Sequence, residues 1–491
     1  MKYYITTPLY YVNDQPHIGH AYTTIAADAM ARYKRLKGFD VFFLTGTDEH
    51  GQKIERSAQE RGITAQTLAD QMVAKYKALW QLLSISYTDF IRTTEDRHKK
   101  AATHLFLDLL NKGDIYKGVY EGPYCTPCET FIKEKTCPSC GRPCEIISEE
   151  TYFFALSRYR DQLLSYIQEN PSFIMPSYRR NEMTNIIGEE LLDLCITRST
   201  FSWGIPVPIS GEKDVMYVWF EALINYLTGV GYPDNKEMFG RYWPADLHLV
   251  GKDILRFHTI IWPAMLIASG LTPPKKVFGH GWWTINEEKM SKSKGNAIDP
   301  YEIINEFGAD GFRYFLLREI AFGLDGDFSK KALIHRLNSD LANDLGNLFS
   351  RAMKMVDSFA EGIVPEKAGG EHLRELALNI ANEIDQEISE LRFHSYLEKV
   401  WVLVRSANKY VDEKKPWTLK GDTLSSVLYN LLESLRMLSI FLFPIMPNLS
   451  ARMADCLGLS EKDLSLVDLK WGGLAPGAKI RYTGPLFMRI T

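Results

Sequence analysis

The sequence predicts an α/β protein: a parallel-sheet domain split by an insertion rich in cysteine and proline, followed by an all-α bundle. Three observations carry this. Strand-like and helix-like apolar patterns alternate from the amino terminus, five of the seven cysteines crowd between Cys125 and Cys144, and from about Lys331 onward the apolar residues keep helical spacing. At 491 residues the chain exceeds what one core can organise.

The first strand runs from Lys2 to Thr7, and a turn-rich stretch from Pro8 to Pro16 ends it. Helical spacing begins at Ala21 and continues through Ile25, Ala26, Ala29, Met30, Tyr33 and Leu36 to a stop at Gly38. His17-Ile18-Gly19-His20 therefore sits where a strand feeds a helix, with free backbone N–H groups and the positive end of the helix dipole facing outward. Asp40 to Thr45 reads as a buried strand ending in Gly46-Thr47-Asp48-Glu49-His50-Gly51, and a helix from about Lys53 to Arg61 follows. Strand, helix, strand, helix in this order implies right-handed crossovers, so both loops emerge at the carboxyl edge of the sheet.

From about residue 96 a helix to Leu110 leads into the cysteine-rich stretch and then into sequence read as irregular up to Pro208. The sheet resumes at Asp246–Val250, ending in Gly251-Lys252-Asp253, with a helix to Gly270. Beyond it lie Lys276–Gly281 and Lys289-Met290-Ser291-Lys292-Ser293. Two apolar stripes, Leu337, Leu341, Leu345, Leu348, Ala352, Met355 and Phe393, Leu397, Val400, Val404, Ala407, Val411, mark the bundle. The expected division is a sheet domain in two halves, 1–95 and 216–280, around an insertion at 96–215, then a loop and stem segment at 281–340 and a helical domain at 341–491.

A formal net charge of −4 excludes a generally basic surface, so any nucleic-acid contact comes from local patches. No apolar run approaches the ~18 residues of a membrane helix. Leu438 to Met446 comes nearest, and Pro444 breaks it. Met1-Lys2-Tyr3-Tyr4 leads into the first strand without a signal peptide, which points to the cytoplasm.

Cys125-x-x-Cys128 and Cys137-x-x-Cys140 form paired corners with the spacing of a closed, four-thiolate structural zinc site. A redox or free-thiol cluster is the alternative, and Cys144 would be a fifth ligand. His-x-Gly-His alone also fits an ordinary capped helix, and Lys289 with Lys292 alone fits a solvated basic loop. Together, two imidazoles at a helix start and two lysines on a Gly-bracketed loop fit the grip on a polyphosphate.

On these motifs the chain resembles the class I aminoacyl-tRNA synthetases, and among them the methionyl-tRNA synthetase family, over nearly its whole length. The resemblance implies a Rossmann-type catalytic domain split by a zinc-bearing insertion, a stem-contact segment and an α-helical anticodon-binding domain. It implies activation of L-methionine by Mg²⁺-bound ATP to methionyl-adenylate, then transfer to the 3′ end of tRNA(Met), initiator tRNA included. His17, His20, Lys289 and Lys292 would stabilise the adenylation transition state, with Gly19, Lys252 and Gly281 also against ATP. Arg198 and Asp253 match positions near the adenylate. Asp48 matches the carboxylate that holds the substrate ammonium, though an Asp after Gly46 is also a common turn former.

Leu9, Tyr11, Trp219, Ala222, Leu223, Tyr226, Ile254, His258 and Trp262 match the family's methionine pocket. Trp219, Ala222, Leu223 and Tyr226 share one helical face, and Ile254, His258 and Trp262 recur every four residues. Aromatic walls suit a thioether, and the resemblance assigns the Tyr226 hydroxyl to the sulfur. One methylene discriminates by only about 1–3 kcal/mol, so homocysteine is expected to be activated, and the resemblance implies its correction by cyclisation within the active site. Asn347 and Arg351, four apart off the apolar stripe, and Trp417 after Pro416 match the anticodon readers. The chain has no space for the editing insertion of synthetases specific for aliphatic side chains, and a monomer is expected.

Overall fold

The computed structural model describes residues 1–125, 130–131, 134–137, 141–189, 191–285, 288–289, 298–367 and 369–490. β1 (Lys2–Tyr11) lies at the centre of a six-stranded sheet, parallel to β2 (Asp40–Asp48) on one side and to strand Leu247–Gly251 on the other. β3 (Asp89–Arg92) extends the first side, and Val277–His280 and Ile174–Met175 extend the second, all parallel. Helices cover both faces of such a sheet, and Tyr4, Ile5, Phe43 and Leu249 are accordingly buried within it. The strand order reverses beside β1, which opens a crevice at the carboxyl ends of β1 and Leu247–Gly251.

α1 (Ile18–Leu36) follows β1 and is buried along nearly its whole length. Between Gly62 and residue 96, where the expected division names no element, the structure has helix Ala65–Leu82 and β3. Leu68, Met72, Tyr76 and Leu79 give that helix its buried face. The insertion also differs from expectation. Its core is a long antiparallel hairpin, Ile115–Cys125 with Glu145–Phe154, with Cys125 at the far end of its first strand. The stretch to Pro208 is not irregular: helices Arg160–Glu169 and Ser177–Gly188 flank Ile174–Met175, which joins the central sheet as an edge strand. Strand pairing with a distant partner supplies the order that a two-residue run cannot signal by itself.

The C-terminal helices are Asn347–Ala360, Glu371–Ser389, Phe393–Lys414, Gly421–Leu442 and Pro447–Cys456. The expected stripes face the core, with Leu341, Leu345, Leu348, Phe393, Leu397 and Val400 fully buried and Met355 only partly so. The core of this bundle is continuous with that around α1.

One buried ion pair crosses the junction. Asp28 of α1 meets the Arg313 guanidinium at 2.7 Å, with both side chains fully buried. Arg313, on helix Ala309–Arg318, also donates to the carbonyls of Ile445 (2.7 Å), Pro444 (3.0 Å) and Leu83 (3.0 Å). Asp28 accepts from the Ser86 N–H and hydroxyl and from Arg32. Burial opposes its charge, but Arg32, Arg313 and Ser86 outweigh burial and hold its pKa below the ordinary carboxylate value. Removing one partner of such a pair strands the other, so Arg313→Leu is expected to cost about 3–5 kcal/mol. A shift of the urea midpoint checks this, and a loss below about 1 kcal/mol would contradict the assignment.

Candidate active site

The crevice is built first by the start of α1. His17 is its N-cap, and its Nδ1 accepts the Gly19 N–H at 3.1 Å, while His20 Nδ1 accepts the His17 N–H at 3.1 Å. This is a capping box made of two imidazoles. A neutral ring that accepts at Nδ1 carries its proton on Nε2. The rings stack at 3.8 Å, and His20 is braced by Tyr76, whose hydroxyl lies 3.3 Å from Nδ1, and by the Tyr10 ring at 4.8 Å. The expectation of free backbone N–H groups here is corrected at Gly19, whose N–H is taken by His17 because an imidazole at an N-cap is itself an acceptor. A Cβ at Gly19 would lie 2.9 Å from His17 Cε1, so only glycine admits this cap.

The second half of the sheet docks on this helix. The Thr23 hydroxyl lies 2.7 Å from His280 Nε2, and His280 Nδ1 donates to the Gly281 carbonyl at 2.7 Å. Gly281 has no room for a Cβ against the backbone of Leu324 and Asp325. Close backbone approach therefore demands glycine here, whatever the residue does toward ATP. Just beyond, Glu288–Lys289 pairs antiparallel with Trp283–Ile285, which places the Lys289 backbone on a hairpin that follows His280. Lys292 lies outside the described residues. Lys252 pairs with Asp325 at 2.5 Å and packs over Trp282, and the Trp282 indole donates to Asp253 at 3.3 Å.

Asp48 ends β2 and pairs in register with Tyr11 of β1, so the carboxylate and one pocket ring leave adjacent strands side by side. Asp48 is 3% exposed. Glu49 behind it is fully buried and takes two bonds from Arg92 and one each from Thr47 and Thr94. Trp203 donates to the Glu49 carbonyl and accepts the Gly51 N–H on its own carbonyl, which clamps the loop.

The expected pocket residues gather here. Tyr11 meets Trp219 edge-on at 6.2 Å, and Leu9, Tyr11, Trp219 and Ile254 pack against the buried cluster containing Leu223, Tyr226 and Trp262. Ala222 is buried on the helix Val218–Leu223 that carries Trp219. Phe257, which spacing did not single out, stacks on Trp219 at 3.9 Å. Its place comes from a π turn at Phe257–Ile261, whose wider pitch lets the adjacent Phe257 and His258 both reach that aromatic wall.

His258 Nδ1 donates to the Ile254 carbonyl, so its Nε2 accepts the Tyr226 hydroxyl at 2.7 Å. The hydroxyl proton expected to face a sulfur is thus engaged by His258. Beneath Tyr226 a second unforeseen residue, His248, stacks at 4.2 Å and is held by Thr6 and by the Trp262 indole. Arg198 is buried rather than a surface charge: it donates to the carbonyls of Cys195 and Thr197 and lies over the Tyr217 ring at 4.2 Å.

Away from the crevice, Asn347 is exposed and Arg351 pairs with Asp412 at 2.7 Å. Trp417, 54% exposed on the turn Pro416–Thr418, follows the helix that carries Asp412, so Arg351 and Trp417 approach the same end of the bundle. At the hairpin tip Cys125 and Cys137 are buried, and the Cys137 carbonyl accepts the Gly141 N–H while its own N–H donates to the Arg142 carbonyl. Cys128 and Cys140 lie outside the described residues. Among the described residues no group of three metal-ligating side chains comes together.

A split parallel sheet whose crevice is closed by two imidazoles at a helix start defines a class I synthetase. The model of that class described as "tRNA synthetases class I (M)" matches residues 3–146 and 133–353. The methionine–tRNA ligase of Caldanaerobacter subterraneus subsp. tengcongensis is 53% identical over 99% of this chain and 79% of its own. That of Thermotoga maritima is 48% identical over 100% of this chain and 80% of its own. Among solved structures, Mycobacterium tuberculosis methionyl-tRNA synthetase in complex with methionyl-adenylate superposes with a TM-score of 0.95 at 40% identity, covering 100% of both chains. The chain belongs to the methionine–tRNA ligase family of class I synthetases.

The buried imidazoles give the pocket a pH signature. Burial lowers His248 well below its ordinary 6.5 and brings His258 down to about 4. Below about pH 6.5 the unfolded chain takes up protons that the folded pocket refuses, so stability falls as pH drops toward about 4. Thermal unfolding from pH 7.5 to 5 should show this loss, and His248→Gln should shallow the slope. An unaltered slope in that variant would contradict the assignment.

Proposed function

We infer that the crevice activates L-methionine with ATP, the substrate carboxylate attacking the α-phosphate without help from a protein nucleophile. The observation that carries this reading is the reciprocal cap that fixes the His17 and His20 rings, each with its proton on Nε2, at a helix N-terminus beside the carboxyl ends of the strands. Donors held before the reaction stabilise charge that grows on the phosphate without reorganising. Lys289, on the hairpin that follows His280, and Lys292 would act on the phosphates, with Lys252 and Gly281 along the nucleotide and Arg198 and Asp253 beside the adenylate. Mg²⁺ would accompany ATP through its phosphate oxygens.

Asp48 would receive the substrate ammonium, and the rings from Tyr11 to Trp262 its side chain. With its O–H donated to His258 Nε2, the Tyr226 hydroxyl donates to a thioether only by exchanging that bond; otherwise the sulfur packs against ring edges. Transfer of methionine to tRNA(Met), initiator tRNA included, would follow, with Asn347, Arg351 and Trp417 reading the anticodon. Support for the last point is the shared end of the bundle on which Arg351 and Trp417 lie. A cytoplasmic monomer fits this reading. Among the described residues no helix is long and apolar enough to cross a membrane.

The hairpin tip suits a structural zinc. Cys125 and Cys137, one from each corner, are both buried thiols on a tip held by backbone bonds, including the Cys144 N–H to the Lys135 carbonyl. With Cys128 and Cys140 they would complete four thiolates, a closed set that leaves no open position for substrate. Such an ion holds the insertion in shape.

Methionine-dependent ATP–pyrophosphate exchange tests the activity. Lys292→Ala is expected to lower its rate about 10²–10³-fold with methionine binding nearly unchanged. A comparable loss of methionine affinity would contradict the role given to Lys292. Metal analysis of the purified protein should find one zinc per chain, and Cys125→Ser with Cys137→Ser should remove it and expose the hairpin to proteolysis. A metal-free but protease-resistant wild-type hairpin would overturn the zinc reading.

A further inference from the structure

The wall of the methionine pocket has a charged back. Trp219, Ala222 and Leu223 lie toward the pocket on helix Val218–Leu223, and Glu221 projects from nearly the opposite side, fully buried. Its two oxygens have separate partners: Oε1 accepts from His50 Nδ1 at 2.9 Å, and Oε2 accepts from His98 Nε2 at 2.7 Å. His50 stands two residues beyond Asp48 and packs on Trp203, the residue that clamps the Asp48 loop. His98 belongs to helix Asp96–Asn111, which follows β3, and its Nδ1 lies 3.4 Å from the Thr228 hydroxyl at the end of the short helix Asn225–Thr228 that carries Tyr226.

One carboxylate thus joins three segments that are far apart in the chain. Burial disfavours its charge, but the two histidines outweigh burial and lower its pKa, so Glu221 is ionised. An isolated buried carboxylate is expensive, and an apolar side chain would fill this space at less cost to stability. What an apolar residue cannot do is fix direction. Two N–H donors of set orientation determine both the rotation of the pocket helix and its distance from the loop that carries Asp48.

We propose that Glu221 is a positioning residue for the amino acid: through His50 and His98 it sets the span between Asp48 and the Trp219–Tyr226 wall. The proposal rests on methionine being the substrate, its ammonium on Asp48 and its side chain on that wall. Both contacts are made by one small molecule, so a change in the span weakens both together. ATP is gripped by the start of α1 and by the hairpin after His280, neither of which Glu221 touches.

Glu221→Gln keeps the volume but turns an amide N–H toward one of the histidine donors. Methionine-dependent exchange should then show the KM for methionine raised at least tenfold, the KM for ATP within twofold and kcat within about threefold. Discrimination against norleucine, which carries CH₂ in place of sulfur, should narrow. His98→Gln touches the same carboxylate from a residue placed in neither the catalytic nor the binding machinery, and should give the same split. A methionine KM within twofold of wild type in either folded variant overturns the proposal. So does a proportionate fall in kcat and rise in both KM values, the mark of general loosening. Should Glu221→Gln not fold, the His98→Gln result decides. If the wild type itself shows no methionine-dependent exchange, the substrate reading fails instead.

Discussion

The buried contact between Asp28 and Arg313 is the constraint on which the rest of the architecture depends. α1 carries His17 and His20 at one end, and near its middle it is tied to a guanidinium whose remaining donors reach the carbonyls of Leu83, Pro444 and Ile445. A single planar cation thus connects the helix at the crevice to the chain that closes the C-terminal bundle. The geometry suits arginine specifically, because a fork of rigid donors can satisfy several carbonyls and a carboxylate at once, which an ammonium on a flexible stem cannot. The continuous apolar core around this pair makes the junction a packed interior.

Proton placement is the second theme. The four imidazoles at His17, His20, His248 and His258 are each held in one tautomer by a neighbouring backbone or side-chain group. At the helix start, acceptance at Nδ1 puts the proton of each ring on Nε2. In the pocket, donation from Nδ1 leaves His258 accepting from Tyr226, within an apolar surround that disfavours charge. The same residue type does opposite work within one crevice, and the difference lies in which nitrogen a local partner occupies first.

Much of the plan was legible because it follows from local rules. Alternating apolar runs gave the parallel sheet, the positions of His17, Asp48, Gly251 and His280 gave its carboxyl edge, and helical spacing gave the bundle stripes through Leu345 and Val400 with few errors. The pocket residues Trp219, Leu223 and Tyr226 could be placed on one face from spacing alone. The misses share a cause. Ile174–Met175 is a strand only because a distant strand lies beside it, Phe257 reaches the pocket only through a π turn, and Gly19 loses its free N–H only because His17 folds back as a cap. His248 and Glu221 are single polar residues in apolar runs, and each takes a bond from more than a hundred residues away, His248 with Thr6 and Glu221 from His98.

By itself the amino-acid order determined what each segment could become: strand or helix by period, turn by glycine and proline, motif by the spacing of a few side chains along one element. Those are properties of neighbours in the chain, and hydrogen bonds within a helix or sterics within a turn suffice to enforce them. Only the tertiary structure decided which nitrogen of each histidine carries its proton, which carboxylates are buried and paired, and how far Asp48 stands from the aromatic wall. Such quantities depend on desolvation and on the direction of donors brought together from remote segments, and no window of sequence contains both partners.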